Sequence, residues 1–319
     1  MLQWTEPAWL REVRDWIDRA LDRLGVVAAG EVEQSHIAPW STALRVPVND
    51  GDLWFKANMP ALACEAAVID ILGRRQPGCM PELLAIDRER GWMLMADAGV
   101  PLIDVLTRDR DLRRWLDVLP RYAQLQLAAI DDVDELLSAG VPDRRLDKLP
   151  DQYEHLLGET PGLTAEELAL LDRLRPRVGE LCEELAAYGV PETLQHNDLH
   201  DGQVFVRGDD YRFLDWAESC IAHPFLTMAV TLEGVISWGL DDIRGSVDVS
   251  PFRAAYLEPF ASHGTSAQLN SGLSTALRLG WICRAAEVQR WVSALDAPDR
   301  AKYLDGVAIR LRMFLSGLT

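Results

Sequence analysis

Residues 194–216 read LQHNDLHDGQVFVRGDDYRFLDW. The opening of this stretch is a loop dense in groups that hold protons or metal ions: His196, Asp198, His200 and Gln203. Apolar alternation then predicts a short hairpin, with Val204-Phe205-Val206 outward, Gly208-Asp209-Asp210 as the turn and Tyr211 to Leu214 returning. Asp215 sits at the end of that return strand, so residues distant in sequence end on one edge.

These residue types suit phosphoryl transfer, which asks a protein for a group that orients the acceptor hydroxyl and for oxygen ligands to Mg²⁺. Asp198 can accept the hydroxyl proton. Gln203 and Asp215 offer an amide and a carboxylate oxygen, the donors that hard Mg²⁺ prefers. The same loop also contains H-x-D-x-H, a spacing by which His196, Asp198 and His200 would serve a metal hydrolase. No second ligand cluster supports that alternative, and His36, His155, His223 and His263 are dispersed along the chain.

The run from His196 to Gln203, followed by Phe213-Leu214-Asp215-Trp216, resembles the H-G-D-L-H-x-x-N and I-D-W motifs of the aminoglycoside phosphotransferase and choline kinase family. It also carries the H-x-D-x-x-x-x-N spacing of protein kinases. Two positions depart from the family pattern: Asn197 stands for the usual Gly, and Gln203 for the usual Asn, one methylene longer. The resemblance implies an α+β, bilobal, protein-kinase-like fold with a small antiparallel-sheet N-lobe and a larger helical C-lobe. It implies Asp198 as the catalytic base or orienting group, Gln203 and Asp215 as Mg²⁺ ligands, and His196 and His200 as loop-structural residues bonded to backbone. The implied reaction moves the γ-phosphoryl group of ATP or GTP to a hydroxyl of an aminoglycoside, sugar, amino sugar or amino alcohol. Gln203 and the phosphate turn described next also fit a nucleotide-binding pseudokinase with a regulatory role.

Working back from the loop, residues 4–24 show helical periodicity, and β-like runs follow at 32–38, 42–48 and 53–57. The turn between the first two runs, Ala38 to Thr42, contains no Gly; by the resemblance, Ser41 and Thr42 meet the nucleotide phosphates. In the third run Trp54 and Lys56 share one face. Lys56 matches the family's nucleotide-clamping lysine, and Trp54 stands where that family places an aromatic on the adenine ring. The helix expected over 61–74 carries Glu65 on its apolar stripe, where an unpaired carboxylate is costly and Lys56 is its simplest neutraliser. Two more strands are expected at 83–87 and 92–95. The residues after them form the family's hinge, with Met95 at its entry and the backbone of Ala96 and Ala98 facing the adenine edge. The N-lobe is thus expected over 1–97, comprising an N-terminal helix, a five-stranded sheet and one helix, and the C-lobe over 98–319.

The C-lobe reads as helical at 112–129, 146–157 and 165–188, with Thr164 and Glu167 as a capping box. Asp241, Asp242, Asp248, Glu233 and Glu258 are acids that would meet a cationic small-molecule acceptor, and Glu218 lies close to the metal ligand in sequence. A net charge of −18 opposes nucleic-acid binding, which wants a basic face. The five cysteines show no C-x-x-C spacing and read as reduced thiols. With charges scattered through the N-terminus and no apolar run of membrane length, the expectation is a cytoplasmic protein with no signal peptide and no membrane partner.

Overall fold

In the computed structural model, which describes residues 3–317 apart from the side chain of Glu159, the N-terminal periodicity becomes helix α1 (Pro7–Leu24). Pro7 starts it, and Gly25, at φ 65°, ends it in the left-handed conformation that a glycine adopts without strain. Strands β1 (Glu33–Ile37), β2 (Ser41–Val48) and β3 (Gly51–Asn58) follow, then α2 (Glu65–Arg75), β4 (Leu83–Asp87) and β5 (Trp92–Ala96). The five strands form one antiparallel sheet in the order β1-β2-β3-β5-β4. Strand alternation decides which face is dry: Leu53, Phe55 and Ala57 of β3 are buried against Val13, Trp16 and Ile17 of α1. Phe55 meets Trp16 and Trp92 edge to face at 5.6 and 5.7 Å, and burying each such side chain contributes about 1.5–3 kcal/mol. Trp54 and Lys56 consequently face the other way. Residues 60–62 form a 3-10 turn, so α2 begins at Glu65 and not at the expected residue 61.

Beyond β5 come β6 (Val100–Pro101), α3 (Leu102–Asp109), α4 (Trp115–Ala128), α5 (Val133–Ser138), α6 (Leu149–Glu159), α7 (Ala165–Arg173) and α8 (Arg175–Ala186). The single helix expected over 165–188 is broken at Leu174, because Pro176 cannot donate to the preceding turn and instead occupies the start of α8. The Thr164–Glu167 capping box forms as expected. Strand β7 (Thr193–Gln195) leads into the loop, β8 (Val204–Arg207) and β9 (Asp210–Phe213) make the hairpin, and β10 (Cys220–Ala222) pairs antiparallel with β7. Helices α9 (Ser250–Leu257), α10 (Ser266–Ala294), α11 (Ala297–Tyr303) and α12 (Asp305–Ser316) complete the chain. No helix among the described residues is long and apolar enough to cross a membrane.

The chain divides into two compact units. One comprises the segment through Gly99 together with Val206–Ala217, and the other Val100–Phe205 together with the segment from Glu218 onward. Most of the hairpin therefore belongs with the five-stranded sheet, although it follows the sheet by a hundred residues. Gly99 shows how closely it is joined: a Cβ there would lie 2.3 Å from the carbonyl oxygen of Val206.

Candidate active site

In the first unit a buried carboxylate organises three segments. Glu65 is 1% exposed, and Lys56 from β3 donates to it at 2.9 and 2.8 Å. Asn58, on the same face of β3, donates to Oε2 at 2.5 Å, and the backbone N–H of Trp216 donates to Oε1 at 3.1 Å. Lys56 also reaches Asp215 Oδ1 at 2.6 Å. Burial alone would push the Lys56 ammonium down, but the carboxylates of Asp215 and Glu65 outweigh it and hold the group above the usual lysine range. Asp215 itself has φ 61° and a carboxylate 42% exposed, so this corner of the cluster opens outward. Asn58 was not singled out from the sequence, although its position two residues after Lys56 marks it as sharing that face.

The segment after β5 is held by a residue that the sequence reading passed over. Asp97 accepts the Trp54 indole N–H at 3.1 Å, the Gly99 N–H at 2.9 Å and Arg207 at 2.8 Å. Trp54 is opposite Met95 across the β3–β5 pair, half-buried, with its N–H tied to the expected hinge. Met95 and Ala98 are buried, and the Ala96 N–H is already spent on the carbonyl of Glu82 at 3.0 Å. Ala96 can therefore offer a nucleobase only its carbonyl. Thr42 is corrected more fully: its side chain is buried, donating to the His36 carbonyl at 2.7 Å and accepting from Gln34 at 2.9 Å, so its hydroxyl holds β1 to β2 and is not free for a phosphate. Ser41, at the start of β2, is also buried. A cleft of about 680 Å³ in this unit is lined by Gly25, Val48, Asp50, Leu53, Ala96 and Arg207 among others, but not by Lys56, Glu65 or Asp215.

In the second unit the loop after β7 rests on a buried polar network. Tyr122 OH accepts from the His196 N–H at 2.9 Å, and Thr227 accepts from the Asn197 N–H at 3.3 Å while donating to Gln195 at 2.8 Å. Thr231 donates to the Leu199 carbonyl at 2.8 Å. Burial of polar groups demands such pairing, and here the pairing fixes the loop backbone on both sides of Asp198. Asn197 has φ 66°, a conformation that Gly and Asn tolerate and most residues do not. Its replacement of Gly is thus conformationally conservative. His200 accepts the Gly202 N–H at 3.0 Å, and Gln203 donates its own N–H to the His200 carbonyl at 2.9 Å.

The Asp198 carboxylate is paired with Arg284 of α10 at 2.8 Å, and the same guanidinium binds Glu218. Arg284 is only 5% exposed in its side chain. It was missed in the sequence, although a signal existed: Arg284 and Glu287 are the charged residues of the otherwise apolar run 279–288, the same anomaly that pointed to Glu65. Of the acids expected to meet a cation, Asp241 is paired with Arg110 at 2.8 Å, Asp248 accepts the Ser250 N–H at 2.9 Å, and Glu233 accepts from Trp281 at 3.2 Å. Among the described residues no three His, Cys, Asp or Glu side chains gather as a metal site. The H-x-D-x-H triad is not assembled as a hydrolase centre, since His200 serves the loop and Asp198 serves Arg284. A Mg²⁺ shared with nucleotide phosphates needs only one or two protein carboxylates, and the outward-facing Asp215 suits that demand.

A model of the phosphotransferase enzyme family matches residues 53–262. Among solved structures, an ethanolamine kinase from Plasmodium vivax superposes with a TM-score of 0.60 at 14% identity, covering 90% of this chain and 84% of that one. A choline/ethanolamine kinase family protein from Mesorhizobium loti gives 0.57 at 17% identity, covering 94% of each chain. A macrolide 2'-phosphotransferase type I gives 0.59 at 14% identity, covering 92% of this chain and 96% of that one. These likenesses show the kinase-like α+β fold. Among curated protein sequences none matches.

Proposed function

The chain belongs to the phosphotransferase enzyme family, whose members act on small-molecule hydroxyls, and from that premise we propose that it is an active kinase using ATP or GTP with Mg²⁺. The observation that carries this is the Lys56–Glu65–Asp215 cluster. A purely structural ion pair would need one carboxylate for one lysine; here a buried pair is joined to a second carboxylate that faces outward.

In this proposal Lys56, aimed by Glu65, meets the oxygens of the α- and β-phosphates. Asp215 would hold the metal, and the Gln203 amide oxygen is a second candidate ligand. Bound Mg²⁺ supplies charge neutralisation at the phosphates. The Ser41 backbone borders the phosphates, while Trp54, Met95, the Ala96 carbonyl and Ala98 border the base. Asp198 orients the acceptor hydroxyl and receives its proton as the O–P bond forms and the bond to the nucleoside diphosphate breaks. Arg284 holds the Asp198 carboxylate in one orientation. That suits a loose transition state, in which positioning matters more than early proton removal.

The test is thermal unfolding with ATP or GTP, with and without Mg²⁺, followed by γ-phosphoryl transfer to a panel of hydroxyl compounds. Mg²⁺-dependent stabilisation with a phosphorylated acceptor supports the proposal. Nucleotide binding with neither transfer nor hydrolysis would replace it with a regulatory nucleotide-binding protein.

A further inference from the structure

The acceptor's chemical class is recorded in the charges around Asp198. Arg284 is bound on both sides by carboxylates, Asp198 and Glu218, so its charge is compensated. Arg310 is not. It lies on α12, whose Gly306 packs so closely that a Cβ there would stand 3.1 Å from Cγ1 of Val288 on α10. One turn onward along α12 is Arg310, and one turn back along α10 is Arg284. Arg310 is half-buried, and among the described residues its hydrogen bond is from Nη1 to the Gly306 carbonyl at 3.1 Å, with no carboxylate at ion-pair distance. Burial first, and then the charge of Arg284, push its guanidinium down to about 10 against the pull of Asp198; it remains charged at neutral pH.

A half-buried guanidinium left without a carboxylate is costly. Scarcity of acids does not explain it, because the chain has 50 Asp and Glu against 32 Lys and Arg. Elsewhere in this unit the buried Glu287 is shared by Arg144 and Arg290, at 2.7 and 2.6 Å. Of the acids expected to meet a cation, Asp241 is paired with Arg110, and Asp248 and Glu233 each accept one N–H, from Ser250 and Trp281.

We propose that Arg310 binds an anionic group, a carboxylate or a phosphate monoester, on the acceptor whose hydroxyl Asp198 orients. The acceptor is then a hydroxy acid or a phosphorylated hydroxy compound, and not a polycationic or ammonium-bearing one as the sequence suggested. The planar guanidinium fork matches either anion through paired N–H donors. This inference rests on the kinase reading for the part played by Asp198, but the anion site can be tested without it.

Four small hydroxy compounds serve as matched probes: glycerate, glycerol 3-phosphate, glycerol and ethanolamine. Their affinities are measured by calorimetry on the full chain with ADP and Mg²⁺, and then kcat and KM of transfer from ATP or GTP. The wild type is expected to bind glycerate or glycerol 3-phosphate at least about tenfold more tightly than glycerol or ethanolamine. Whichever anion binds better identifies carboxylate or phosphate as the group recognised. Arg310→Gln should abolish that preference, leaving ADP affinity unchanged, and Arg310→Lys should restore part of it as a check that the helix pair is intact. Equal or tighter binding of glycerol or ethanolamine, an anion preference that survives Arg310→Gln, or no anion binding at all would overturn the inference. An anion preference lost in Arg310→Gln without transfer to any probe would leave the anion site standing and count against the kinase reading alone.

Discussion

Replacing Glu65 separates the effect of its charge from the effect of its shape. Its two oxygens receive Lys56, Asn58 Nδ2 and the Trp216 N–H. In Glu65→Ala all three donors lose their acceptor in a site where the carboxylate was 1% exposed. Breaking a buried ion pair by removing one partner costs about 3–5 kcal/mol. Lys56 keeps Asp215, which places the expectation near the middle, about 4 kcal/mol. Glu65→Gln keeps the shape and one acceptor oxygen. Its new amide N–H₂ faces a donor, but Asn58 can turn its amide, because Oδ1 has no hydrogen-bond partner in the present arrangement. What remains lost is one charge-assisted hydrogen bond to Lys56, about 2 kcal/mol. The assay is urea unfolding monitored by circular dichroism, comparing the first-unit transition in wild type and both variants. If Glu65→Gln costs as much as Glu65→Ala, or if neither moves the midpoint, Glu65 does not hold Lys56 as described.

Other substitutions test other parts of the site. Asp215→Asn should remove the Mg²⁺-dependent part of nucleotide stabilisation, read as the difference in unfolding temperature with and without the metal; an unchanged difference would place the metal elsewhere. Because Asn197 has φ 66°, Asn197→Gly should stay within about 0.5 kcal/mol of wild type, whereas Asn197→Ala should cost about 1–2 kcal/mol, both measured by thermal unfolding. His223, buried and pushed down to about 3 by that burial, stays neutral in the folded protein while the unfolded chain takes up a proton. Wild-type stability should therefore fall as pH drops from about 6.5 toward about 3. His223→Asn, which retains an acceptor for the Phe225 N–H that His223 now bonds, should flatten that part of the stability profile.

Some of the site was legible because the sequence contains local contradictions. Glu65 on an apolar stripe demanded a cation, and Lys56 supplied it. The hairpin was legible from alternation and Gly208, whose φ of 64° fits the turn. Thr42 misled because its hydroxyl is consumed by His36 and Gln34 of the adjacent strand, where the β1–β2 register shifts, and pairing across a bulge is not written in local pattern. Asp97 gave no signal within a short polar break, since its three donors come from β3, from its own turn and from the distant β8. Arg284 was visible as a charge within an apolar helix, but its partners Asp198 and Glu218 lie on other segments, so only the fold assigns them. The long helix expected over 165–188 failed because apolar spacing persists through Pro176 while the backbone cannot.

The most direct test of the account is the rate of γ-phosphoryl transfer to hydroxyl acceptors by wild type and by Asp198→Asn, with nucleotide affinity measured alongside. The account predicts Mg²⁺-dependent transfer by the wild type, a loss of about 10²–10⁴-fold in the variant, and nucleotide affinity unchanged. Transfer at the wild-type rate by Asp198→Asn would contradict it.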